Sequence, residues 1–275
     1  MGNLQGVIRR FVGINCRTSA RADRLAQRWA GRVRGLEDFT TRVVPGLLKP
    51  RLRVLDVGGG RAPCFDAATV ARLDLHVTGL DISGEELAAA PTGSYHATIV
   101  GDVGAQPIPG RYDLILSRAV LEHVANTRAA IGYLAAALAE GGAMAHFVPC
   151  RNAPFAVFNR LLGERLSQWL LWSIYPETVG IAGFPAYYRD CVPSRMAATC
   201  RKVGLDAVEV RPYFASEYLR FFAPAHLLDL CRQVFLQKLG AADLAETFVI
   251  IAHKPAIQEL VTLPTSIGRS GQRAA

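Results

Sequence analysis

Short apolar runs typical of buried strands alternate, along residues 50–150, with stretches whose apolar positions recur at helical spacing. The predicted strands are Arg53–Val57, Leu75–Leu80, Ser94–Val100, Tyr112–Ser117 and Ala143–Val148. The predicted helices are Ala62–Leu73, Ser83–Ala90 and Asn126–Ala139. Strands that alternate with helices form a parallel sheet covered by helices on both faces. We therefore predict an α/β, doubly wound fold.

The alternation stops after Pro149. A predicted helix, Ser194–Val203, and two predicted strands, Ala207–Pro212 and Glu246–His253, complete a seven-stranded, mostly parallel sheet. Two apolar inserts, 150–190 and 214–243, interrupt this part. Large apolar and aromatic residues crowd the first insert: Phe155, Phe158, Leu161, Leu162, Trp169, Leu170, Leu171, Trp172, Ile174, Tyr175, Phe184, Tyr187 and Tyr188.

We predict that these inserts form a helical lid, because an insert after the fifth strand lies beside the crevice where such sheets bind ligands. An apolar lid favours a small or lipid-like molecule as the ligand. Two other interpretations stay open. Arg151, Arg160 and Arg165 fringe the first insert, as in a helix that contacts a membrane surface. The inserts could also pack together or form a dimer seam, so the oligomeric state stays undetermined.

Charge divides the chain into an N-terminal arm and a body. The net charge is +8, and residues 1–53 alone carry +9. We predict a basic helical arm over 1–49, a domain over 50–255 and a flexible tail over 256–275. An amphipathic helix over Ser19–Leu36 places Leu25, Trp29, Val33 and Leu36 beside a stripe of Arg21, Arg24, Arg28 and Arg32. The stripe fits a solvated face, an anionic lipid surface or, least well, nucleic acid.

The 275 residues are 51% hydrophobic and 20% charged, which excludes disorder along the whole chain. The six cysteines are widely spaced and form no Cys-x-x-Cys pair, which argues against a zinc site or a disulfide framework. No uninterrupted apolar run reaches the roughly 18 residues of a membrane-spanning helix. We expect a cytoplasmic protein without a metal ion, with peripheral membrane contact left open.

A glycine cluster follows the first predicted strand. Asp56 stands at the end of that strand, and Gly58, Gly59 and Gly60 lead toward a helix. Glycines are needed where the backbone turns sharply and a ligand approaches closely. The dinucleotide spacing G-x-G-x-x-G fails here, because Pro63 takes the last glycine position. This departure disfavours a nucleotide-dependent oxidoreductase.

Polar residues also end the next strands. Asp81 can accept hydrogen bonds from both ribose hydroxyls, and Asp102 can accept from an adenine amino group. Ser117 ends the fourth strand, ahead of a Val-Leu-Glu-His-Val segment that contains His123. As single features, the two acids could equally be helix caps. Together they indicate a nucleoside-containing ligand.

In this order the motifs resemble the class I S-adenosylmethionine-dependent methyltransferases, and the type 11-like group that acts on small molecules and lipids. Asp56 to Ala62 resembles the family's D-x-G-x-G-x-G loop, with Ala62 replacing the last glycine. The resemblance implies S-adenosyl-L-methionine as cofactor. It implies cofactor contacts from Asp56, Gly58, Gly59, Gly60, Asp81, Ile82, Asp102, Val103 and Ser117.

The sulfonium cofactor carries its own activated methyl, so the protein has to supply alignment and, for a hydroxyl acceptor, a base. Candidates are His123, Tyr187 and Tyr188, although each could instead be a packing residue. We expect O-methylation of a small or lipophilic acceptor. Nucleic acid is not expected as a substrate, since Ser117-Arg118-Ala119-Val120 replaces an Asn/Asp-Pro-Pro-Tyr loop. The alternative is a catalytically silent binding or scaffold protein at a membrane surface.

Overall fold

The computed structural model describes residues 2–163 and 185–256. Within them, seven strands form one sheet in the order β3-β2-β1-β4-β5-β7-β6. The strands are β1 (Arg53–Val57), β2 (His76–Asp81), β3 (Ala97–Val100), β4 (Tyr112–Arg118), β5 (Leu138–Pro149), β6 (Asp206–Tyr213) and β7 (Thr247–His253). In this sheet β7 alone runs opposite to the other six strands, so it is antiparallel to both of its neighbours, β5 and β6. The predicted seven-stranded, mostly parallel fold is confirmed.

Helices cover both faces of the sheet. They are α1 (Gly2–Ala30), α2 (Gly35–Asp38), α3 (Val44–Leu47), α4 (Ala67–Leu73), α5 (Gly84–Ala88), α6 (Thr127–Ala137), α7 (Pro154–Leu162), α8 (Pro193–Lys202) and α9 (Ala223–Leu239). Leu55 and Val57 of β1 belong to one buried cluster and Val54 to the other. Because successive strand residues point to opposite faces, this split shows that β1 is buried on both sides.

The N-terminal helix differs from the prediction at both ends. It starts at Gly2 and ends at Ala30, where Gly31 takes a left-handed φ of 58°, so the predicted range Ser19–Leu36 was wrong. Leu25 and Trp29 are 58% and 89% exposed rather than packed. Arg32, placed in the arginine stripe by the sequence, is instead buried and paired with Asp23.

Two other boundaries move for local reasons. Helix α4 begins at Ala67 instead of Ala62 because the preceding residues wrap around the end of β1, and Asp66 then caps the helix by accepting from the Thr69 amide at 2.7 Å. Strand β5 begins at Leu138, where the prediction had helix up to Ala139. Backbone bonds between Gly141 or Gly142 and Lys254 extend the sheet there.

Part of the predicted arm is built into the body. Phe39, Val43 and Val44, in the segment 35–47, are buried in the cluster on the second face of the sheet. The Asp38 carboxylate accepts a hydrogen bond from the Tyr213 hydroxyl at 2.6 Å. These residues close one face of the sheet, in addition to linking α1 to the body.

Within the described residues, the two inserts contact each other at more than one point. The Asn152 side-chain amide of the first insert donates to the Asp243 carbonyl of the second at 2.9 Å. Phe155 of the first insert stacks on Tyr218 of the second, with ring centroids 4.1 Å apart. Helix α9 of the second insert then packs along α1. The lid residues Trp169, Leu170, Leu171, Trp172, Ile174, Tyr175 and Phe184 and the tail 257–275 lie outside the described residues. Among the helices that the structure describes, none combines the length and apolarity needed to cross a membrane.

Candidate active site

The glycine loop brings bare backbone to the carboxyl edge of the sheet. Gly58 follows β1 with a φ of 66°, and its amide donates to the Leu80 carbonyl at 2.6 Å. A Cβ added at Gly58 would clash with Val120, and one at Gly60 would lie 3.1 Å from an Asp81 carboxylate oxygen. Both glycines combine a left-handed φ with neighbours that leave little room for a Cβ, so the loop presents backbone without side chains at this edge, as close approach by a ligand requires.

Asp56 shapes this loop from beneath. Its carboxylate is fully buried, and Oδ2 accepts from the Cys64 amide at 2.8 Å and the Tyr95 hydroxyl at 3.3 Å. A Cβ on Gly59 would clash with both this carboxylate and Tyr95. Burial raises the pKa of Asp56. Its Oδ1 atom is buried and has no partner among the described protein atoms, so an acceptor remains for a donor from a ligand.

Asp81 and Ile82 lie beside the loop at the end of β2. Asp81 Oδ1 accepts from the Ser83 amide at 2.9 Å, while Oδ2 faces Gly60. Ile82 is 59% exposed, which is unusual for a large apolar residue at the end of a buried strand. An exposed apolar shelf next to a carboxylate suits a ribose joined to a flat base.

Asp102 and Val103 follow β3, the neighbour of β2. Asp102 is exposed, and its Oδ1 accepts from the Gly104 amide at 2.7 Å, leaving its second oxygen to face solvent. The Val103 side chain is buried in the core. Only the backbone of Val103 is therefore suited to contact a ligand.

Ser117, near the end of β4, forms a buried hydrogen bond with His146. Its hydroxyl lies 2.7 Å from His146 Nδ1, and both residues are fully buried. Burial lowers the pKa of His146 to about 4, so the ring is neutral at physiological pH. This histidine belongs to the core and stiffens the end of β4 beside the glycine loop.

His123 occupies a different position, on the short 3-10 turn Leu121–His123 after β4. Its side chain is 36% exposed. Nδ1 lies 3.0 Å from the Pro185 carbonyl oxygen, which can only accept, so Nδ1 carries the hydrogen. In the neutral ring Nε2 then holds the lone pair. The backbone near the end of the first insert thus selects the tautomer of His123 in which Nε2 is the basic nitrogen.

Tyr187 and Tyr188 are held by the same turn. Their backbone amides both donate to the Glu122 carbonyl, at 2.8 and 2.9 Å. Tyr187 is 42% exposed, whereas Tyr188 is buried and burial raises its pKa. Tyr188 therefore keeps its proton and is unsuited to act as a base. The structure brings His123 and both tyrosines together through main-chain bonds.

Two residues of the site were not predicted from the sequence. Tyr95 was placed in a strand, yet it covers Asp56, and its hydroxyl shares one proton between the Asp56 carboxylate at 3.3 Å and the Gly60 carbonyl at 3.2 Å. The available signal was Gly79 within a buried strand, where a Cβ would lie 2.9 Å from the Tyr95 ring. Glu122, the second missed residue, has a side chain only 4% exposed. Burial raises its pKa to about 8.

Glu122 lies against the catalytic candidates. Oε1 is 3.8 Å from His123 Nε2. Oε2 is buried without a hydrogen-bond partner in residues 2–163 and 185–256. Across that same part of the chain, no group of three or more His, Cys, Asp or Glu side chains is arranged to hold a metal ion.

The fold, the glycine cradle and the strand-end acids define a class I S-adenosylmethionine-dependent methyltransferase domain. The profile of a family described as a methyltransferase domain matches residues 24–186, more than half of the chain. The chain belongs to this family. The glycine loop without side chains and the Asp56 Oδ1 atom without a hydrogen-bond partner among the described residues fit S-adenosylmethionine, the cofactor of the class.

Curated relatives are more distant. The ubiquinone biosynthesis O-methyltransferase of Bordetella bronchiseptica is 29% identical over 166 residues, which cover 58% of this chain and 64% of that protein. The protein of the same name from Nitrobacter winogradskyi is 32% identical over 127 residues, 43% of this chain and 47% of that protein. The chain thus matches less than two thirds of the length of these relatives.

Solved structures agree on the fold. An S-adenosylmethionine-dependent methyltransferase from Mesorhizobium loti aligns with a TM-score of 0.51 at 20% identity, over 77% of this chain and 96% of that one. A Haemonchus contortus phosphoethanolamine N-methyltransferase with S-adenosylhomocysteine aligns with a TM-score of 0.51 at 16% identity, over 79% and 52%. The silent-scaffold alternative finds no support in these comparisons.

Proposed function

We propose that this protein transfers a methyl group from S-adenosylmethionine to a hydroxyl oxygen of a small, lipophilic acceptor. The observation that carries the proposal is the geometry of His123, whose Nδ1 faces the Pro185 carbonyl at 3.0 Å and whose Nε2 is left as the basic nitrogen. The names of the curated relatives, O-methyltransferases of ubiquinone biosynthesis, support oxygen as the accepting atom.

The cofactor residues have distinct tasks in this proposal. Gly58 and Gly60 let the backbone approach the ligand, Asp81 accepts from the ribose hydroxyls and Asp102 accepts from the adenine amino group. Ile82 and the Val103 backbone border the base. When bound, S-adenosylmethionine supplies the activated methyl group.

His123 removes the proton of the acceptor hydroxyl. Proton transfer by a positioned side chain typically contributes on the order of 100- to 10,000-fold in rate. The Pro185 carbonyl holds the ring in place while Nε2 gains the proton, and it continues to accept from Nδ1 of the resulting imidazolium. Tyr187, exposed beside this turn, lines the acceptor side, and the neighbouring Arg189 guanidinium lies 6.0 Å from its ring centroid.

An apolar wall favours a lipophilic acceptor. Phe155 and Tyr218 stack nearly in parallel, with an interplanar angle of 7°, and Phe158 is 50% exposed on the same helix as Phe155. These residues belong to the two inserts that are predicted to form the lid. Burying apolar acceptor surface against them is favourable by roughly 25 cal/mol per Å².

The test is transfer of labelled methyl from S-adenosylmethionine to a lipophilic phenol, compared with an amine of the same carbon skeleton. We expect methylation of the phenol, and a His123→Gln variant with kcat about 100-fold lower and unchanged cofactor affinity. His76→Gln is the matched control, because His76 is exposed at the opposite, amino end of β2. Methylation of the amine alone, or full activity in His123→Gln, would contradict the proposal.

A further inference from the structure

Helix α1 presents two different outward stripes. At about 100° per residue, the exposed apolar residues of the helix share one sector roughly 60° wide: Val7, Phe11, Ile14, Leu25 and Trp29. Their exposed fractions range from 49% at Ile14 to 89% at Trp29. The exposed arginines fall in a second sector, centred about 80° from the first: Arg10, Arg17, Arg21, Arg24 and Arg28.

A third face of α1 fastens the helix to the body. Asn15 accepts from the Ala223 amide at 2.9 Å, and Ser19 donates to the Arg220 carbonyl at 3.1 Å. Asp23 pairs with Arg220 at 2.6 Å and with His226 at 3.0 Å. This face is centred roughly 120° from the apolar stripe. The packing against α9 therefore holds the apolar stripe away from the core.

The internal pairing also removes the one acid of the helix from its outer surface. Asp23 bonds Arg220, His226 and Arg32. Although burial opposes ionisation, the hydrogen bonds and charges of His226 and Arg220 lower the pKa of Asp23 to about 2. The charged side chains described on the outer surface of α1 are then all arginines, and they lie beside the large apolar side chains and the polar Thr18 and Gln27. Arg21, Arg24, Arg28 and Leu25 line one shallow open groove on it.

We propose that α1 docks the protein on an anionic lipid bilayer, lying in the plane of the membrane interface. The apolar stripe enters the boundary between headgroups and acyl chains, and the arginine stripe binds lipid phosphates, to which a guanidinium donates in a bidentate manner. Trp29 lies at one end of the stripe, and tryptophan favours this interfacial depth.

Other occupants fit only one of the two stripes. Nucleic acid would match the arginines but leave five large apolar side chains in water. A second copy of the chain, related by a two-fold axis, would bring one arginine stripe near the other. A bilayer of anionic lipids satisfies both stripes at once. The inference is independent of methyl transfer, because none of these residues belongs to the cofactor or acceptor site.

Cosedimentation of the full chain with vesicles tests the proposal. We expect binding to phosphatidylcholine vesicles that contain phosphatidylglycerol, and little binding to phosphatidylcholine alone. The Arg21→Gln/Arg24→Gln/Arg28→Gln variant should lose binding by about 100-fold, from the contribution typical of three basic residues near an anionic surface. The control carries the same charge change on other elements, at the exposed Arg72, Arg111 and Arg201, and should bind within about 2-fold of the wild type.

A second readout locates the helix itself. The chain has three tryptophans, Trp29, Trp169 and Trp172, so a Trp169→Phe/Trp172→Phe variant makes Trp29 the sole tryptophan. Anionic vesicles should shift its fluorescence to shorter wavelength. Unchanged cofactor affinity in every variant shows that the domain is folded. An unshifted spectrum, equal binding by the arginine variant and its control, or concentration-dependent dimers without vesicle binding would overturn the proposal.

Discussion

The two sides of the site are built in different ways. On the cofactor side, the ends of β1 and β2 and the loop after β3 lie together because neighbouring parallel strands place their carboxyl ends at one edge. Asp56 and the glycine loop are fixed mainly by contacts within residues 56–95. The end of β4 adds Arg118, which donates to the Ala62 carbonyl at 2.8 Å, and the segment after β4 adds Val120, which lies against Gly58. On the acceptor side, residues 121–128 are joined to residues 185–190, some sixty positions further along the chain.

The difference lies in what each side requires before it can work. The residues of the cofactor side come together as soon as β1, β2 and β3 pair with one another. The acceptor side depends on main-chain bonds that tie the end of the first insert to the turn after β4. Thr127 donates to the Arg189 carbonyl at 2.6 Å, and Arg128 pairs with Asp190 at 2.9 Å. Placement of the insert thus also sets the position of His123.

On the cofactor side, we expect the largest loss of cofactor affinity from Gly58→Ala. The added Cβ clashes with Val120, and the left-handed φ disfavours any side chain. Strain and overpacking of this kind cost a few kcal/mol together, so we expect S-adenosylmethionine to bind about 100-fold more weakly by calorimetry. Gly132→Ala, in a helix with open space at its Cβ, should bind normally. Normal affinity in Gly58→Ala would show that the cradle is not the cofactor site.

A milder change on the same side is Asp81→Asn. The substitution keeps an oxygen for the Ser83 amide but removes the charge and one acceptor that we propose for the ribose hydroxyls. We expect a loss of cofactor affinity of roughly 10-fold, within the range of a charge-assisted hydrogen bond. Asp74→Asn serves as control, since Asp74 is exposed in a left-handed conformation that asparagine also adopts. Equal affinities for the two variants would remove Asp81 from the cofactor contacts.

The smallest effect is expected from Glu122→Gln, on the acceptor side. The pKa of Glu122 is raised to about 8 by burial, above its usual value near 4.3. Folding therefore favours the protonated carboxyl, and the wild type loses stability as the pH rises from about 5 through 8. The Glu122→Gln variant has no such loss. The Tm of the variant minus the Tm of the wild type should therefore increase by roughly 3 to 6 °C from pH 6 to pH 9.

Glu37→Gln, an exposed position, is the control for this comparison and should follow the wild type at every pH. Cofactor affinity at pH 6 should not change in Glu122→Gln, because none of the described hydrogen bonds joins Glu122 to Asp56, Asp81 or the glycine loop. A Tm difference that stays constant with pH would exclude a titrating carboxyl at this position.

The cofactor side was largely predictable from the sequence, and the acceptor side was not. Asp56, Gly58, Gly60 and Asp81 follow strands whose apolar runs are plain, and strand direction alone brings them together. Glu122 was missed because its neighbours include Tyr187 and Tyr188, some sixty positions further along the chain, whose amides donate to the Glu122 carbonyl. The exposure of Leu25 and Trp29 was missed for a related reason: the apolar spacing that normally marks a packed face is here turned outward, while polar Asn15, Ser19 and Asp23 make the contact.

The position of β7 has a consequence for how the protein is made. This strand, Thr247–His253, comes after β6 and is the last strand that the structure describes, yet it lies inside the sheet between β5 and β6. Strand β6 has no other strand beside it among the described residues. On the ribosome, β6 must therefore wait, with an unpaired edge, until β7 has been synthesised. The emerging chain passes through a stage in which β1 to β5 can pair while β6 still needs protection from aggregation.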